Sequence, residues 1–355
     1  MAKKNSCTDL LAKKNPWQDS DNKIWLASSI TLFRNLEKFN FPGKLNSEKR
    51  NTIIDLISKE LLKIKDLNSP VITRAEEMTP IDKEFLMEHF LSTEVFQQAH
   101  AGEAFCLDSS ATFMASINML DHLHFTLIEY HGELENAWNN LIKVETKLGK
   151  TIQYAFSPRY GFLTADATNC GTAMKVAVFL QLPALIHSEK IDEILQQHTN
   201  ENFEITGLHG SPTEIVGDII KIQNNYTLGL TEENNISAVR NLTTKLMLEE
   251  NSVRSHTKQN ESADMKDRVS RAYGILMHSY QIEAIEALNA LSLIKLGVDF
   301  NWIEGVSIKE LNELFFNCRR AHLLCQAKEE FPQEKLPHQR AEFIHNALKK
   351  VKLKI

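Results

Sequence analysis

The stretch Tyr154–Leu185, YAFSPRYGFLTADATNCGTAMKVAVFLQLPAL, decides the fold, because it carries strand, loop and strand signals in succession. A short apolar run is followed by Asp166–Thr172, a loop of small polar residues. In Met174–Leu182 apolar residues recur at every second position, which predicts a strand with one apolar face. Pro183 ends the strand, because proline has no N–H to donate to a ladder. Lys175 falls on the opposite face, beside a polar loop of the kind that often holds a binding site.

The composition is that of a globular chain with a sizeable core and room for two domains. The 355 residues are 43% hydrophobic and 24% charged, with a net charge of −6. This acidic balance predicts neither a nucleic-acid partner nor a membrane surface, and no apolar run approaches the roughly 18 residues of a membrane span. Five scattered cysteines without metal-site spacing predict no metal and a reducing, cytoplasmic location.

Other segments carry clear patterns of strands and helices. Ile24–Leu36 reads as a buried strand, and two alternating runs meet around residues 118–121. Asn46 or Ser47 is placed to cap one helix, and Thr79 is placed to cap another that has proline at its first helical position. From Asp267 onward the patterns are helical.

Several of these motifs resemble those of the ATP:guanidino phosphotransferases, and specifically of the bacterial protein-arginine kinases. The opening stretch resembles YLTxCPTNxGTGxRASVxLxLPAL in that family. It departs from the family at Asp166, where the family has cysteine, and at Lys175, where it has arginine. The positions that match are Thr168, Asn169, Gly171, Thr172 and the final LPAL of residues 182–185.

On the nucleotide side, the resemblance implies a pocket whose phosphate-binding arginines are mostly replaced. The implied pocket positions are Ser28, Ser29, Thr31, His89, His124, Lys175 and Thr206. A lysine offers a point charge without the fork of arginine, and an unperturbed histidine is mostly neutral at pH 7. Losing one transition-state contact commonly costs about 3 kcal/mol. We therefore expect magnesium–ATP to bind weakly, if at all, and no cofactor is assigned with certainty.

On the acceptor side, the family's carboxylates are replaced. The corresponding residues are Met119 and Leu120 in the motif that resembles INEEDHxRIQ, and Ser211 in the one that resembles VRGLYGEGSE. A guanidinium with a pKa above about 12 must lose a proton to attack phosphorus, and these side chains supply no base. The apolar pair is expected to fill the cleft. Asp166, at the family's cysteine position, is the alternative site for a relocated base.

The C-terminal part matches the helical domain of the protein-arginine kinases, through RAYGIL at residues 271–276 and LGVD at residues 296–299. That family's phosphoarginine-binding motif, RDxxRA, corresponds to LPHQRA, in which Arg340 and the alanine remain. The resemblance implies an α+β fold, a phosphagen-kinase-type antiparallel sheet flanked by helices, followed by an all-helical domain. The predicted divisions are a flexible N-terminus (1–22), a catalytic-type domain (23–250), a linker (251–265) and a helical, dimerising domain (266–355).

Three functions stay open at this stage. The first is a pseudokinase that acts through protein–protein contacts, with a zinc-binding activator protein and a Clp-type chaperone as the partners that the resemblance implies, and with a homodimer as its assembly. The second is an active protein-arginine kinase with a rebuilt site. The third is a nucleotide or phosphoarginine sensor without turnover.

Overall fold

An antiparallel sheet of eight strands forms the centre of the molecule in a computed structural model that describes residues 11, 14–94, 96–327 and 332–355. The strand order is β2-β3-β4-β5-β1-β8-β10-β9, and every neighbouring pair is antiparallel. The sheet strands are β1 (Trp25–Arg34), β2 (Val71–Arg74), β3 (Ala104–Leu107), β4 (Phe113–Ile117), β5 (Leu123–Glu129), β8 (Met174–Gln181), β9 (Phe203–Gly207) and β10 (Ile219–Asn224). Two-residue strands form the hairpin β6 (Phe156–Ser157) with β7 (Gly161–Phe162), and the pair β11 (Ile303–Glu304) with β12 (Lys352–Leu353).

Helices cover both faces of the sheet. Those that belong to the sheet region are α1 (Ser47–Leu61), α2 (Pro80–His89), α3 (Leu134–Gly149), α4 (Pro183–His187), α5 (Ile191–His198) and α6 (Glu232–Gln259). Those of the C-terminal helical region are α7 (Ala263–His278), α8 (Ala284–Asp299), α9 (Ile308–Asn317), α10 (Arg320–Gln326) and α11 (Leu336–Leu348). The α+β fold class predicted from the sequence is confirmed by this architecture.

Strand β8 lies in the middle of the sheet, between β1 and β10, and is buried on both faces. The prediction of a single apolar face was therefore incomplete. Val176 and Val178 pack into the core formed with α1, α3 and α6, whereas Ala177 and Phe179 pack into a second core shared with the C-terminal helices. Because this second core is continuous, burial of apolar surface joins the sheet to the helical region.

Two predicted boundaries need correction. Part of the N-terminus that was predicted to be flexible is packed, since Trp17 is only 1% exposed and stacks on Phe316. The predicted linker at residues 251–265 is mostly helix, because α6 continues to Gln259 and buries Val253 and Arg254 on its inner face. Residues 1–10 and 12–13 of the predicted flexible segment lie outside the described residues.

The predicted helix starts are confirmed in atomic detail. The Asn46 side chain accepts a hydrogen bond from the Lys49 backbone N–H at the start of α1. Thr79 and Asp82 form a reciprocal capping box at the start of α2, with Pro80 at the first helical position. Within the described residues, none of the helices combines the length and apolar character needed to cross a bilayer.

Candidate active site

A cavity of about 410 Å³ opens on the sheet face formed by β1, β8, β9 and β10. Strand alternation points Ser29 and Thr31 of β1, and Lys175 of β8, toward this cavity, because residues two apart share a face. The loop at residues 90–94 and the turn at residues 209–210 border it. The other lining side chains from the sheet and the 166–172 loop are Phe33, Thr126, Asn169, Glu204, Thr206, Lys221 and Gln223.

His124, on β5, lies at the floor of this site between two carboxylates. It donates from Nδ1 to Glu94 Oε1 at 3.0 Å and from Nε2 to Asp121 Oδ2 at 3.3 Å. Burial by itself lowers the pKa of an imidazole, but the two carboxylates outweigh it and raise the pKa of His124 to about 9. His124 is therefore a cation at pH 7, and the expectation that it is mostly neutral was wrong.

Asp121 is the anchor of this arrangement. Its Oδ1 accepts hydrogen bonds from Asn35 Nδ2 and from the Ala165 backbone N–H, both at 2.6 Å. Burial raises the pKa of the Asp121 carboxyl, but the bonds from His124 and the other donors hold it below its ordinary value. The hydrogen-bonded charges of Asp121, His124 and Glu94 thus extend from the core to the cavity wall. At the wall, the Glu94 side chain is 37% exposed.

The two lysines of the cavity are also partly compensated. Lys175 Nζ donates to the backbone carbonyls of Asn224 and Asn225, at 3.2 and 2.9 Å. Lys221, on β10, stands in register with Thr206. Burial lowers the pKa of both lysines, and the nearby Glu204 carboxylate opposes this shift. The cavity therefore carries mixed charges, with Glu94 and Glu204 set against His124 and the lysines.

The comparisons with known proteins agree along most of the chain. Residues 52–253 match the family model "ATP:guanido phosphotransferase, C-terminal catalytic domain", and residues 262–354 match "Protein-arginine kinase McsB C-terminal domain". A protein-arginine kinase of Chlamydia pneumoniae is 33% identical over 312 residues, which cover 87% of this chain and 86% of that protein. The chain belongs to the protein-arginine kinase family. A second member, from Halothermothrix orenii, is 30% identical over 97% of this chain and 99% of its own length.

Solved structures place the same fold among phosphagen kinases. The duplicated taurocyamine kinase from Schistosoma mansoni, with bound transition-state-analogue components, matches with a TM-score of 0.58 and 26% identity. This match covers 68% of this chain and 35% of the duplicated chain. Lombricine kinase, at 21% identity and a TM-score of 0.57, covers 70% of this chain and 72% of its own and shows the fold alone.

The structure brings most of the predicted nucleotide-pocket positions together. Ser29, Thr31, Lys175 and Thr206 line the cavity. His124 lies beneath the cavity wall and is hydrogen-bonded to Glu94, which lines it. Two positions fall elsewhere.

Ser28 points to the opposite face of β1, where its hydroxyl accepts a hydrogen bond from Trp25 Nε1 at 2.8 Å. His89 is fully buried, donates from Nε2 to the Ala111 carbonyl at 2.7 Å, and packs against Trp17 and Phe85. Burial lowers the pKa of His89 to about 3, so it is a neutral core histidine and not a pocket residue.

Arg34, the last residue of β1, has a structural role. Its Nε donates to Glu145 Oε1 at 2.7 Å, and its guanidinium lies 3.5 Å from the ring centroid of Phe162. Further bonds reach the backbone carbonyls of Phe33 and Thr172. This buried cation holds β1 to α3 and the hairpin, so it is not available to a phosphate.

The acceptor side holds no base at the family positions. Met119 is half-buried against the second core, whereas Leu120 is 57% exposed, so the expectation that this pair fills the cleft was wrong for Leu120. The Ser211 hydroxyl accepts hydrogen bonds from its own turn. Asp166 likewise turns into its own loop, where Oδ1 accepts from the backbone and hydroxyl of Thr168. None of these four side chains lines the cavity.

Arg340 does not offer a phosphoarginine site. It is 1% exposed, and its guanidinium donates from Nε to the Cys318 carbonyl at 2.9 Å and from Nη1 to the Ile282 carbonyl at 2.8 Å. These bonds tie α11 to the segments before α8 and α10. The prediction of a phosphoarginine contact at Arg340 is therefore corrected to a structural role inside the helical region.

Three charged residues of the cavity were missed by sequence reasoning, namely Glu94, Glu204 and Lys221. Lys221 was within reach, because it and Gln223 alternate with Ile220 and Ile222 and so mark a polar face of β10. Glu94 lies in a loop without a pattern, and its partner His124 is 30 positions away in sequence. Over the described part of the chain, no cluster of three or more histidine, cysteine or acidic residues is arranged to hold a metal ion.

Proposed function

We propose that this member of the protein-arginine kinase family does not transfer phosphate and acts through protein–protein contacts in the bacterial Clp and stress-response system. The observation that carries the proposal is the Asp121–His124–Glu94 chain, in which the cation at a family arginine position is already neutralised by the protein itself. Phosphoryl transfer depends on cations that neutralise the charge spreading over the transferred phosphate. A cation held between two carboxylates gives little of its field to a third anion.

The acceptor side supports the same proposal. A guanidinium needs a carboxylate to orient it and to accept its proton, and Met119, Leu120 and Ser211 provide none. Asp166 is the alternative base, but its carboxylate is engaged by Thr168 and does not line the cavity. Thr168 also holds the pKa of the Asp166 carboxyl below its ordinary value, which makes it a weaker base.

Magnesium–ATP fits this site poorly. A triphosphate would meet Glu94 and Glu204 on the cavity wall, and the Lys175 ammonium is already engaged by two carbonyls. The arginine forks that grip phosphates in bidentate fashion are missing from the positions that line the cavity. We therefore expect a dissociation constant of roughly 1 mM or weaker, equivalent to about −4 kcal/mol.

A phosphorylation assay tests the main claim. Purified protein is incubated with labelled magnesium–ATP and an arginine-rich protein, and acid-labile phosphate is measured, with the protein-arginine kinase of Chlamydia pneumoniae run in parallel. We expect label at the level of the sample without enzyme. Acid-labile label well above that background, lost in a variant that lacks Lys175 and Lys221, contradicts the proposal and supports an active kinase with a rebuilt site.

A nucleotide or anion sensor is the second candidate. Its support is the open cavity of about 410 Å³, which falls in the size range of small-molecule sites and retains two lysines. Calorimetry with magnesium–ATP separates the two functions. A micromolar constant that is abolished by Lys175→Ala favours the sensor, and a constant near 1 mM favours the pseudokinase.

The proposed partners and assembly rest on the family resemblance. They are a zinc-binding activator protein, a Clp-type chaperone and a second copy of the chain, in the cytoplasm. Sedimentation of the full chain at tens of micromolar tests the homodimer, and co-sedimentation with the purified activator or chaperone tests the partners. A monomer that binds neither protein removes support for a role through these contacts.

A further inference from the structure

Lys295, on α8, is a lysine enclosed where the sheet and the helical region meet. It is 4% exposed, and its Nζ atom lies 3.1 Å from Gln181 Oε1 and 2.7 Å from Asn312 Oδ1. Both acceptors are neutral amides. Within the described residues Lys295 forms no ion pair, which is unusual because buried lysines are normally paired with a carboxylate.

Those two amides connect Lys295 to two further parts of the chain. Gln181 ends β8 and donates from Nε2 to the Gly217 carbonyl at 2.9 Å, just before β10. Asn312, on α9, donates from Nδ2 to the Ser20 carbonyl at 3.0 Å, in the N-terminal segment. We call this set of residues, Ser20, Gln181, Gly217, Lys295 and Asn312, the amide junction.

The amide junction is connected to the cavity through the sheet. Gln181 and Lys175 lie on the same face of β8, six residues apart, and Gly217 directly precedes the strand that carries Lys221. A change at the junction therefore acts on the ends of the two strands that place both cavity lysines.

The number of hydrogen bonds matches a neutral amine. An uncharged –NH₂ has two N–H donors, and the junction supplies two acceptors. A charged –NH₃⁺ has three donors, so one N–H would stay unpaired in an enclosed site, which adds to the cost of burying the charge. Burial, with a smaller contribution from Arg254, lowers the pKa of Lys295 to about 7.

Charged groups on the packed elements leave the junction without a counter-ion for Lys295. Arg254 is bound by Glu250 and by Asp299, which also pairs with Lys23. Other charged groups on neighbouring elements include the His187–Asp218 pair beside β8, Glu310 and Glu313 of α9, and the Asp264–Arg268 and Asp267–Arg271 pairs of α7. Each carboxylate named here is already bound to another residue.

We propose that the amide junction is a proton-sensitive contact that holds the catalytic-type sheet, the N-terminal segment and the helical region together. With a neutral Lys295 the junction is closed. Protonation of Lys295 loosens it, which releases the segment around residues 14–22 and the ends of β8 and β10.

The direction of the pH effect follows from linkage. A lysine whose pKa is lowered in the closed state takes up a proton when the junction opens, so opening becomes easier as the pH falls. With a closed-state value of about 7 and an open-state value of about 10.4, the opening constant should rise about thirty-fold between pH 8.5 and pH 6.0.

Two measurements on the full chain test the proposal. In the first, lysine side-chain resonances of isotope-labelled protein are titrated, and the Lys295 signal is identified by its loss in Lys295→Met. We expect a midpoint near 7, and a midpoint above about 9 overturns the proposal. In the second, hydrogen exchange of residues 14–22 is followed at pH 6.0 and 8.5, with rates corrected for the intrinsic effect of pH. The thirty-fold change should be present in the wild type and absent in Lys295→Met.

Matched variants separate the effect of charge from a general loss of stability. Lys83→Met removes another buried lysine, which lies on α2 and donates to the Ala99 carbonyl, and this variant should leave the pH response of residues 14–22 intact. Gln181→Glu keeps Lys295 and supplies a carboxylate at the same position. It should move the lysine midpoint upward and suppress the pH response, and it serves as the test if Lys295→Met does not fold. An unchanged response in Gln181→Glu, or its loss in Lys83→Met, refutes the assignment to Lys295.

Discussion

Glu94→Gln is the substitution that most directly tests the electrostatic interpretation of the cavity. It removes the carboxylate that neutralises His124 but keeps the shape of the side chain, and the amide oxygen can still accept the bond from His124 Nδ1. The cavity then gains one net positive charge without the loss of a hydrogen bond. If the internal carboxylate is what keeps phosphates out, this change should improve anion binding.

The expected size of the effect follows from Coulomb's law. A unit charge about 6 Å from a phosphate contributes roughly 2.8 kcal/mol at an effective dielectric of 20 and about 0.7 kcal/mol in water. Glu94 is partly exposed, so an intermediate value of about 1–2 kcal/mol is appropriate, which corresponds to a five- to thirty-fold change in affinity. Starting from a dissociation constant of roughly 1 mM, the variant should bind magnesium–ATP at about 0.03–0.2 mM.

The assay is isothermal calorimetry with magnesium–ATP and, separately, with inorganic triphosphate, at pH 6.5, because a lower pH favours the protonated form of His124. Glu201→Gln is the matched control, since it removes one exposed negative charge that does not line the cavity. The gain in Glu94→Gln should shrink as the salt concentration rises, because part of the interaction is screened. If Glu94→Gln binds magnesium–ATP no more tightly than the control Glu201→Gln does, the internal carboxylate does not control the site and the reasoning is wrong.

Three further outcomes follow from the structure. Met119→Glu with Leu120→Glu should give no acid-labile phosphate and lower the melting temperature only slightly, because Leu120 is 57% exposed; turnover in this variant would show that the phosphate side is intact. His124→Asn should be less stable than the wild type in urea at pH 6.5 by on the order of 2–3 kcal/mol, and the gap should close as the pH rises toward 9, because the raised pKa of His124 contributes stability that is lost through that range. A gap that widens with pH contradicts the assigned charge. Arg340→Met should destabilise the protein by about 1–3 kcal/mol, as two buried carbonyls lose their donor; normal stability in this variant would contradict its structural role.

Local patterns were enough to predict the framework. The alternation in β1 and β8, and the caps at Asn46 and Thr79, depend on residues within a few positions of each other, so a single sequence displays them directly. The polar face of β10 that carries Lys221 was visible in the same way, although it was not used.

The helical end of α6 shows where composition misleads. The segment after Glu250 is so polar that it was predicted to be a linker. The buried residues Glu250, Val253, Arg254 and Thr257 nevertheless stand at positions i, i+3, i+4 and i+7 of α6. This is the spacing of one helix face. Two of the four are charged residues that pair with each other inside the protein, so hydrophobicity alone did not mark the face.

The charge of His124 shows what no local pattern contains. Its partners are Asp121, three residues before it, and Glu94, which lies in the loop after α2. A histidine taken alone is mostly neutral at pH 7, and only the folded arrangement of two carboxylates makes it a cation. The same holds for Lys295, which has no counter-ion among the described residues because of the way three distant segments meet around it.

In the proposed pseudokinase, the internal carboxylates would also stabilise the cavity in the absence of a bound anion. Several arginines facing one another repel, and that repulsion is relieved when phosphate arrives between them. In this chain the cation at His124 is held by Glu94 and Asp121, and Lys175 by two carbonyls, so the cavity needs no anion to balance it. Under the proposed function, the arginine replacements and the presence of Glu94 are therefore two parts of one electrostatic change, which would stabilise the empty site and weaken its attraction for phosphate.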